Sequence, residues 1–156
     1  MAHPPIRILF VCLGNICRSP AAEAVFQKIA SDHNFPVHLD SAGISNWHAG
    51  EQADPRMRKA AKKRDYEIHS IARPFQPADF DRFDQIIVMD DANYDHLKAL
   101  ATTDEEIDKI YRMSDFLSEH SDDHIPDPYY GGEQGFDFVI DLLEDASKGL
   151  LQSLLT

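Results

Sequence analysis

The residues best suited to chemistry lie near the start of the chain, in the segment Cys12-Leu-Gly-Asn-Ile-Cys-Arg-Ser19. This is a C-x5-R-S arrangement, in which five residues separate a cysteine from an arginine that a serine follows. A cysteine thiolate is a strong nucleophile, and a guanidinium grips two oxygens of a phosphate through its planar fork. The pair therefore predicts attack by Cys12 on an oxyanion that Arg18 holds.

The residues between these two have the composition of an anion cradle. Gly14 and Asn15 are the types that most readily take left-handed backbone angles, which a tight loop needs in order to turn several N–H groups inward. A helix beginning at Ser19 would add the positive end of its dipole, and the Ser19 hydroxyl could donate to the sulfur. Taken alone, Cys12 would be interpreted as a buried thiol at a strand end, but this setting favours an activated nucleophile.

Asp127 is the candidate general acid. It lies between Pro126 and Pro128, which restrict the backbone on both sides and would hold the carboxyl on a stiff loop. A phosphate monoester needs its leaving oxygen protonated, and a carboxyl placed in this way suits that task. Taken alone, an Asp-Pro pair more often marks a turn.

The elements that must position these residues follow from the hydrophobic pattern. Ile6 to Cys12 predicts a buried strand, after which a helix begins with Pro20 at its first position. Val37 to Asp40 predicts a second strand, so that the three elements form a right-handed βαβ unit with parallel strands. Sheets of this kind bind ligands beyond the carboxyl ends of their strands, where the Cys12 loop lies.

The rest of the chain continues the alternation of helices and strands. The pattern predicts further strands over residues 85–89 and 110–113, and helices over 54–64 and 136–154, with two more that Asp91 and Thr103 cap. No repeat or linker divides the sequence. We therefore expect one domain over residues 1–156, with a three-layer α/β fold in which helices flank about four parallel strands.

The longer string from Cys12 to Glu23 resembles the signature of the low-molecular-weight protein tyrosine phosphatases. The resemblance continues through Asp40-Ser41-Ala42-Gly43, Met89-Asp90 and Asp127-Pro128-Tyr129-Tyr130, and so covers nearly the whole chain. It implies hydrolysis of phosphotyrosine proteins and small aryl phosphates through a cysteinyl-phosphate intermediate, with inorganic phosphate as a product and without a cofactor.

The resemblance also implies roles for individual residues. Cys12 would be the nucleophile, Arg18 would bind phosphate, and Asp127 would act first as general acid and then as base. The other implied residues form three groups: a phosphate-binding loop of Leu13, Gly14, Asn15, Ile16 and Cys17; supporting hydrogen-bond residues Asn15, Ser19, Ser41 and His69; and aromatic cleft residues Trp47, Tyr129 and Tyr130. Judged without the resemblance, His69 would be a structural histidine, and Tyr130 would as readily pack as contact substrate.

The two cysteines, Cys12 and Cys17, are too few for a disulfide framework. Their spacing does not match common zinc sites, so we expect no metal. The resemblance implies instead that Cys17 traps an oxidised Cys12 as a reversible disulfide. A small residue that packs the loop is the alternative interpretation of Cys17.

Three other functions stay open at this stage. Arsenate reductases resemble this cradle but relay a disulfide through further cysteines, which this chain lacks. Protein arginine phosphatases carry threonine where Ile16 stands, so the apolar Ile16 favours a tyrosine substrate. A non-catalytic phosphate-binding protein would have no need of a nucleophile, an arginine and an acid together.

The charge of the chain bounds its partners. The 156 residues have a formal net charge of −12, which argues against broad attraction to nucleic acid. The sequence shows no signal-peptide core and no apolar run of membrane length, so we expect a cytoplasmic protein with reduced thiols and no membrane partner. Residues 1–78 carry 10 Lys and Arg against 7 Asp and Glu, whereas residues 79–156 carry 5 against 20.

The acidic second half predicts a charge preference among phosphopeptides. It should slow encounters with acidic peptides, and the difference should shrink as salt rises because exposed charges are screened over about 8 Å at physiological ionic strength. We expect a higher kcat/KM for a basic than for an acidic phosphotyrosine peptide at low salt. Equal values at low salt would mean that the acidic residues only form a solvated face.

Overall fold

A single sheet of four parallel strands lies at the centre of the computed structural model, which describes residues 4–129 and 131–155. The strands stand in the order β2-β1-β3-β4. Their bounds are β1 (Ile6–Cys12), β2 (Val37–Gly43), β3 (Gln85–Val88) and β4 (Ile110–Arg112). The predicted three-layer α/β fold on about four parallel strands is confirmed.

Helices cover both faces of the sheet. Their bounds are α1 (Arg18–Asp32), α2 (Pro55–Lys62), α3 (Asp79–Arg82), α4 (Asp91–Leu100), α5 (Asp104–Asp108) and α6 (Glu133–Leu155), with a 3₁₀ turn at Met113–Phe116. Within the described residues, no helix has both the length and the apolar character that a membrane span requires.

Strand β1 is buried on both faces, as its unbroken apolar run predicts. Ile8 and Phe10 point into the cluster under α1, α2 and α6, whereas Leu9 and Val11 point into the cluster on the opposite face. All four side chains are excluded from solvent, and each such burial stabilises the fold by roughly 1.5–3 kcal/mol. Both layers of helices are therefore fixed to the strand that ends in Cys12.

The strand order creates a crevice at the end of β1. The chain leaves β1 to form β2 on one side and later forms β3 on the other, so β1 is the point at which the order reverses. At the carboxyl edge, Cys12 pairs with Gly43 and Val11 pairs with Val88. Ligands of open α/β sheets bind at such a point, which is where the candidate loop emerges.

Two helix starts differ from the predicted ones. Helix α1 begins at Arg18, so Pro20 is its third residue; the missing N–H is still one of the first four, which have no partner inside a helix. Helix α4 is capped by Asp90 rather than Asp91, because the Asp90 carboxylate accepts from the Asn93 N–H. As a result, Arg18 is the first residue of α1 and Asp90 is the N-cap of α4.

Gly149 in α6 is required by space. A Cβ at this position would overlap the Phe116 carbonyl oxygen in the 3₁₀ turn, a backbone atom that cannot move aside cheaply. Gly135, in the first turn of the same helix, is different, since a Cβ there would make an ordinary 3.6 Å contact with Pro128. The Phe116 backbone therefore lies closer to α6 than any side chain at position 149 would allow.

We predict that Gly149→Ala destabilises the protein and that Gly135→Ala does not. Overpacking costs about 1–3 kcal/mol, which exceeds the gain of about 1 kcal/mol that alanine brings to a helix interior. Urea unfolding followed by circular dichroism should show a lower midpoint for Gly149→Ala and an equal or higher one for Gly135→Ala. Equal midpoints for the two variants would mean that the approach of Phe116 is not a constraint.

Candidate active site

The candidate site is a cleft at the carboxyl end of β1. Three segments line it: the loop between β1 and α1, residues 47–48, and residues 127–129. The lining residues are Cys12, Leu13, Gly14, Ile16, Cys17, Arg18, Trp47, His48, Asp127 and Tyr129. The fold thus brings the C-x5-R segment together with two segments that are distant in sequence.

Cys12 lies at the base of the cleft as the last residue of β1, with 2% of its surface exposed. Its Sγ is 3.0 Å from the Ser19 Oγ and accepts from the Ser19 backbone N–H at 3.4 Å. Ser19 is in the first turn of α1, so the positive end of that helix faces the sulfur. Donors placed in this way stabilise a negative charge on a sulfur atom.

Asn15 holds the loop in shape. Its backbone takes the left-handed conformation at a φ of 57°, and its side chain is buried. The Asn15 Nδ2 donates to the Ser19 Oγ at 2.8 Å, while its Oδ1 accepts from the Arg73 backbone N–H at 3.0 Å. Because the Ser19 oxygen accepts from Asn15, its own hydrogen can be donated to the Cys12 sulfur at 3.0 Å, which is closer than the alternative acceptor, the Ala42 carbonyl at 3.5 Å.

Gly14 serves a different purpose from the one its type predicts. Its φ is not positive, so among the two candidate residues only Asn15 is left-handed. A Cβ on Gly14 would stand 3.2 Å from the His48 ring, which is tighter than ordinary packing. Glycine at this position therefore lets His48 close over the loop, where its Nδ1 lies 2.9 Å from the Glu51 carboxylate.

Arg18 is buried behind the cleft, with 3% of its side chain exposed. One guanidinium nitrogen donates to the Asp90 carboxylate at 2.7 Å and to the Ile125 carbonyl at 2.9 Å. The other terminal nitrogen is 3.8 Å from the Asp127 carboxylate. Burial opposes the charge, but Cys12, Asp90 and Asp127 together raise the pKa of Arg18 above its ordinary value.

Asp127 stands at the mouth of the cleft with its carboxyl partly exposed. Its Oδ1 accepts from the Tyr129 backbone N–H at 3.0 Å, which ties the side chain to its own loop. The other oxygen faces Arg18. An acid and an arginine separated by more than a hundred residues therefore share one site.

Aromatic side chains form the walls above the loop. Trp47 is 76% exposed and lines the cleft from one side, so its ring is available to a ligand. Tyr129 lines the other side, with its ring centroid 6.3 Å from that of His48. The Arg56 guanidinium lies 5.2 Å from the centre of the Tyr129 ring and orients it from behind. Tyr130 lies outside the described residues.

The structure does not bring His69 to the supporting network. Its side chain is 81% exposed and its Nε2 is 3.3 Å from the Glu67 carboxylate, because residues 67–70 run along the surface. The Asn15 Oδ1 accepts instead from the Arg73 backbone N–H. Ser41 is buried near the loop, but its hydroxyl donates to neither Asn15 nor Ser19.

Cys17 is buried and its thiol is free, as is that of Cys12. Burial raises the pKa of Cys17 far above its usual range, and the charges of Asp54, Cys12 and Asp127 add to this effect. Burial therefore favours the protonated form of Cys17, which is a weak nucleophile.

Sequence reasoning missed three residues that shape the site: His48, Arg73 and Asp90. Asp90 follows β3, and the carboxyl ends of neighbouring parallel strands meet, so its position relative to β1 was a usable signal. Arg73 is held by Asp40 and Asp79, and neither bond has a local sequence signature. Within residues 4–129 and 131–155, no three potential metal-ligating side chains come together as a metal site.

Known proteins are similar to this chain over nearly its whole length. The family model "Low molecular weight phosphotyrosine protein phosphatase" matches residues 7–156. A low molecular weight protein-tyrosine-phosphatase of Streptomyces coelicolor is 41% identical over 152 residues, 95% of this chain and 93% of that protein. The crystal structure of a protein tyrosine phosphatase from Entamoeba histolytica superposes with a TM-score of 0.94 at 48% identity, covering 96% of this chain and 97% of that one.

A Drosophila arginine phosphatase has the same fold at lower identity. Its crystal structure superposes with a TM-score of 0.91 at 29% identity, covering 97% of this chain and 99% of that one. The fold therefore accommodates proteins named for two kinds of phosphorylated side chain. The choice between them depends on the cleft residues and not on the architecture.

We predict that Asn15 maintains the anion cradle. Asn15→Ala loses two buried hydrogen bonds, which cost about 1–3 kcal/mol when their partners stay unpaired, and keeps the left-handed strain. Asn15→Gly loses the same bonds without the strain. Both variants should melt at a lower temperature, Asn15→Ala more so, and both should be stabilised less than wild type by added inorganic phosphate. If phosphate raised the melting temperature of Asn15→Gly as much as that of wild type, these two hydrogen bonds would not shape the cradle.

Proposed function

Because this chain belongs to the low molecular weight phosphotyrosine protein phosphatase family, we propose that it hydrolyses phosphotyrosine and aryl phosphate monoesters through a cysteinyl-phosphate intermediate. Its substrates are then phosphotyrosine-containing proteins and small aryl phosphates, and inorganic phosphate is a product. The observation that carries the proposal is the convergence of Cys12, Arg18 and Asp127 on one cleft.

Substrate binding uses the loop before any chemistry occurs. The phosphate dianion enters the loop, where inward backbone N–H groups and the start of α1 compensate its charge. Asp90 and the Ile125 carbonyl occupy one nitrogen of Arg18, so the rest of the guanidinium is left to grip two phosphate oxygens. The donors need little reorganisation, because Asn15 already holds the loop in its left-handed turn.

The first half-reaction transfers the phosphoryl group to sulfur. The Cys12 thiolate attacks phosphorus, so that an S–P bond forms while the bond from phosphorus to the tyrosine oxygen breaks. Asp127 in its protonated form donates its proton to the departing oxygen. Such general acid catalysis is worth about 10²–10⁴ in rate, most for leaving groups of low acidity.

The second half-reaction releases phosphate. Asp127, now ionised, removes a proton from a water molecule whose oxygen attacks phosphorus as the S–P bond breaks. The electron pair of that bond returns to sulfur, and the Ser19 hydroxyl 3.0 Å away stabilises the thiolate that forms. Asp127 is then protonated again, Cys12 is again a thiolate, and the phosphoryl group has left as inorganic phosphate. Water is the only further reactant that the cycle needs.

The walls of the cleft favour a tyrosine substrate. The sulfur lies at the base of the cleft and is 2% exposed as part of Cys12, so a phosphate must reach it on a long side chain. The rings of Trp47 and Tyr129 are flat surfaces against which an aryl group packs. The Ile16 side chain adds an apolar contact beside the loop.

We predict that turnover of 4-nitrophenyl phosphate in the presence of a chelator is retained by wild type and lost in Cys12→Ser. Asp127→Ala should lower the rate by about 10²–10⁴ because the leaving oxygen is no longer protonated. Asp95→Ala, which removes an exposed carboxylate in α4, is the matched control and should keep the wild-type rate. Undiminished turnover by Cys12→Ser would overturn the covalent mechanism.

The substrate class is tested separately. We predict that wild type hydrolyses phosphotyrosine faster than phosphoarginine, and that Ile16→Thr narrows this difference by removing apolar contact beside the loop. The kcat/KM values for both phosphoamino acids, measured for both proteins, decide the matter. Faster hydrolysis of phosphoarginine by wild type would assign this chain the other substrate.

A further inference from the structure

A buried carboxylate outside the cleft holds the segment that leads to the general acid. Asp145 lies in α6 with 2% of its side chain exposed. Its Oδ1 accepts from the Ser118 N–H and hydroxyl, both at 3.0 Å. Its Oδ2 accepts from the Glu119 N–H at 3.0 Å, the His120 N–H at 2.9 Å and the His120 Nδ1 at 2.8 Å. One carboxylate thus binds five groups of three consecutive residues.

We call the Asp145 carboxylate the anchor. Residues 118–124 are the tether, because they connect the anchor to the loop that carries Asp127. Ile125 follows the tether; its N–H donates to the Met89 carbonyl at 2.8 Å and its carbonyl accepts from Arg18 at 2.9 Å. Asp127 follows two residues later. The path from Asp145 to the general acid is therefore one short run of chain that is fixed at both ends.

Between its two ends the tether has little support. Its residues 121–124 are exposed, and in the described part of the chain their one tertiary hydrogen bond joins the Asp123 carbonyl to the Ser114 hydroxyl at 3.1 Å. Nearby, the space at Gly149 lets the Phe116 backbone rest on α6 just before the tether begins. Helix α6 is thus the surface that sets where the tether starts.

The chemistry of the anchor requires a carboxylate. Burial opposes the charge on Asp145, but hydrogen bonds from His120 and Ser118 outweigh it and hold the pKa of the carboxyl well below its usual range. Asparagine has the same shape but only one acceptor oxygen, and its NH2 group would face backbone N–H groups that also donate. The Asp145→Asn variant would therefore leave donors of residues 118–120 unpaired without changing the volume of the core.

We propose that Asp145 is a positioning residue for proton transfer: by binding residues 118–120 to α6, it fixes the loop from which Asp127 reaches the leaving oxygen. This inference rests on the proposed function, since it presupposes the role of Asp127. Asp145 lies outside the described lining of the cleft and reaches the site only through the tether, while the Asp90 bond to Arg18 does not depend on it, so its loss should affect Asp127 more than the phosphate cradle.

The test compares aryl phosphates whose leaving groups differ in acidity, namely 4-nitrophenyl phosphate and phenyl phosphate. A misplaced acid harms the poorer leaving group more, because phenolate depends more on protonation. We expect Asp145→Asn to lower kcat/KM for phenyl phosphate by about tenfold, a loss typical of a small displacement, and to change that for 4-nitrophenyl phosphate by less than about threefold. Competitive inhibition by inorganic phosphate should stay within about twofold of wild type, because Asp145 binds no residue of the cradle and Arg18 keeps its bond to Asp90.

Asp141→Asn is the matched control. It removes an exposed carboxylate one turn earlier in α6 that binds Arg64 and makes no hydrogen bond to the tether among the described residues, so both substrates should be hydrolysed at wild-type rates. If Asp145→Asn does not fold, the double variant Ser118→Ala, His120→Ala removes two donors from the exposed side of the same anchor. This double variant should also lower kcat/KM more for phenyl phosphate than for 4-nitrophenyl phosphate, but by a smaller factor than Asp145→Asn.

The outcomes separate this inference from the proposed function. Asp127→Ala, measured alongside, must show the steeper dependence on the leaving group; if it does not, the acid role itself fails. Suppose that Asp127→Ala does show this steeper dependence. Asp145 then does not position the acid if the anchor variants match wild type, if they lose equal fractions of kcat/KM for both substrates, or if they weaken inhibition by phosphate.

Discussion

A guanidinium that is nearly excluded from water needs acceptors, and those of Arg18 come from parts of the chain that are far apart in sequence. Asp90 at the end of β3 and the Ile125 carbonyl before the acid loop both bind one of its nitrogens. Leaving a buried charge without partners costs several kcal/mol, so the fold is stable only when these segments meet at the carboxyl end of β1. The requirement to compensate one cation thereby assembles the cleft.

Buried polar groups in the loop around Cys12 are also bound by residues that are distant in sequence. Asn15 binds the Ser19 hydroxyl on one side and the Arg73 backbone on the other, while Arg73 is itself bound by Asp40 and Asp79. Ser19, Asn15 and Arg73 are thus each oriented by the next member of one series of hydrogen bonds. A loop held in this way presents its donors to an anion without first having to rearrange, which is the main source of electrostatic catalysis.

Support from α6 differs in kind from support within the cleft. Its apolar face covers the cluster that includes Phe10 on β1, while Asp145 binds the tether through charge-assisted hydrogen bonds. Packing along this helix therefore stabilises both the strand that ends in Cys12 and the segment that leads to Asp127. Helix α6 thus contacts both the core beneath β1 and the tether, although the cleft itself lies at the carboxyl end of β1.

What the sequence determined by itself is local. The apolar run that ends in Cys12, the C-x5-R-S loop and the helix after it follow from period and composition, and they were enough to predict the fold class and the place of the site. The placement of His48 over Gly14, the use of Asp90 by Arg18, the surface position of His69 and the anchor at Asp145 were decided only by tertiary structure. Each depends on which residues meet, or fail to meet, after the chain has folded, and the bonds of Arg18 and Asp145 join residues more than twenty positions apart, which leave no period or spacing to detect.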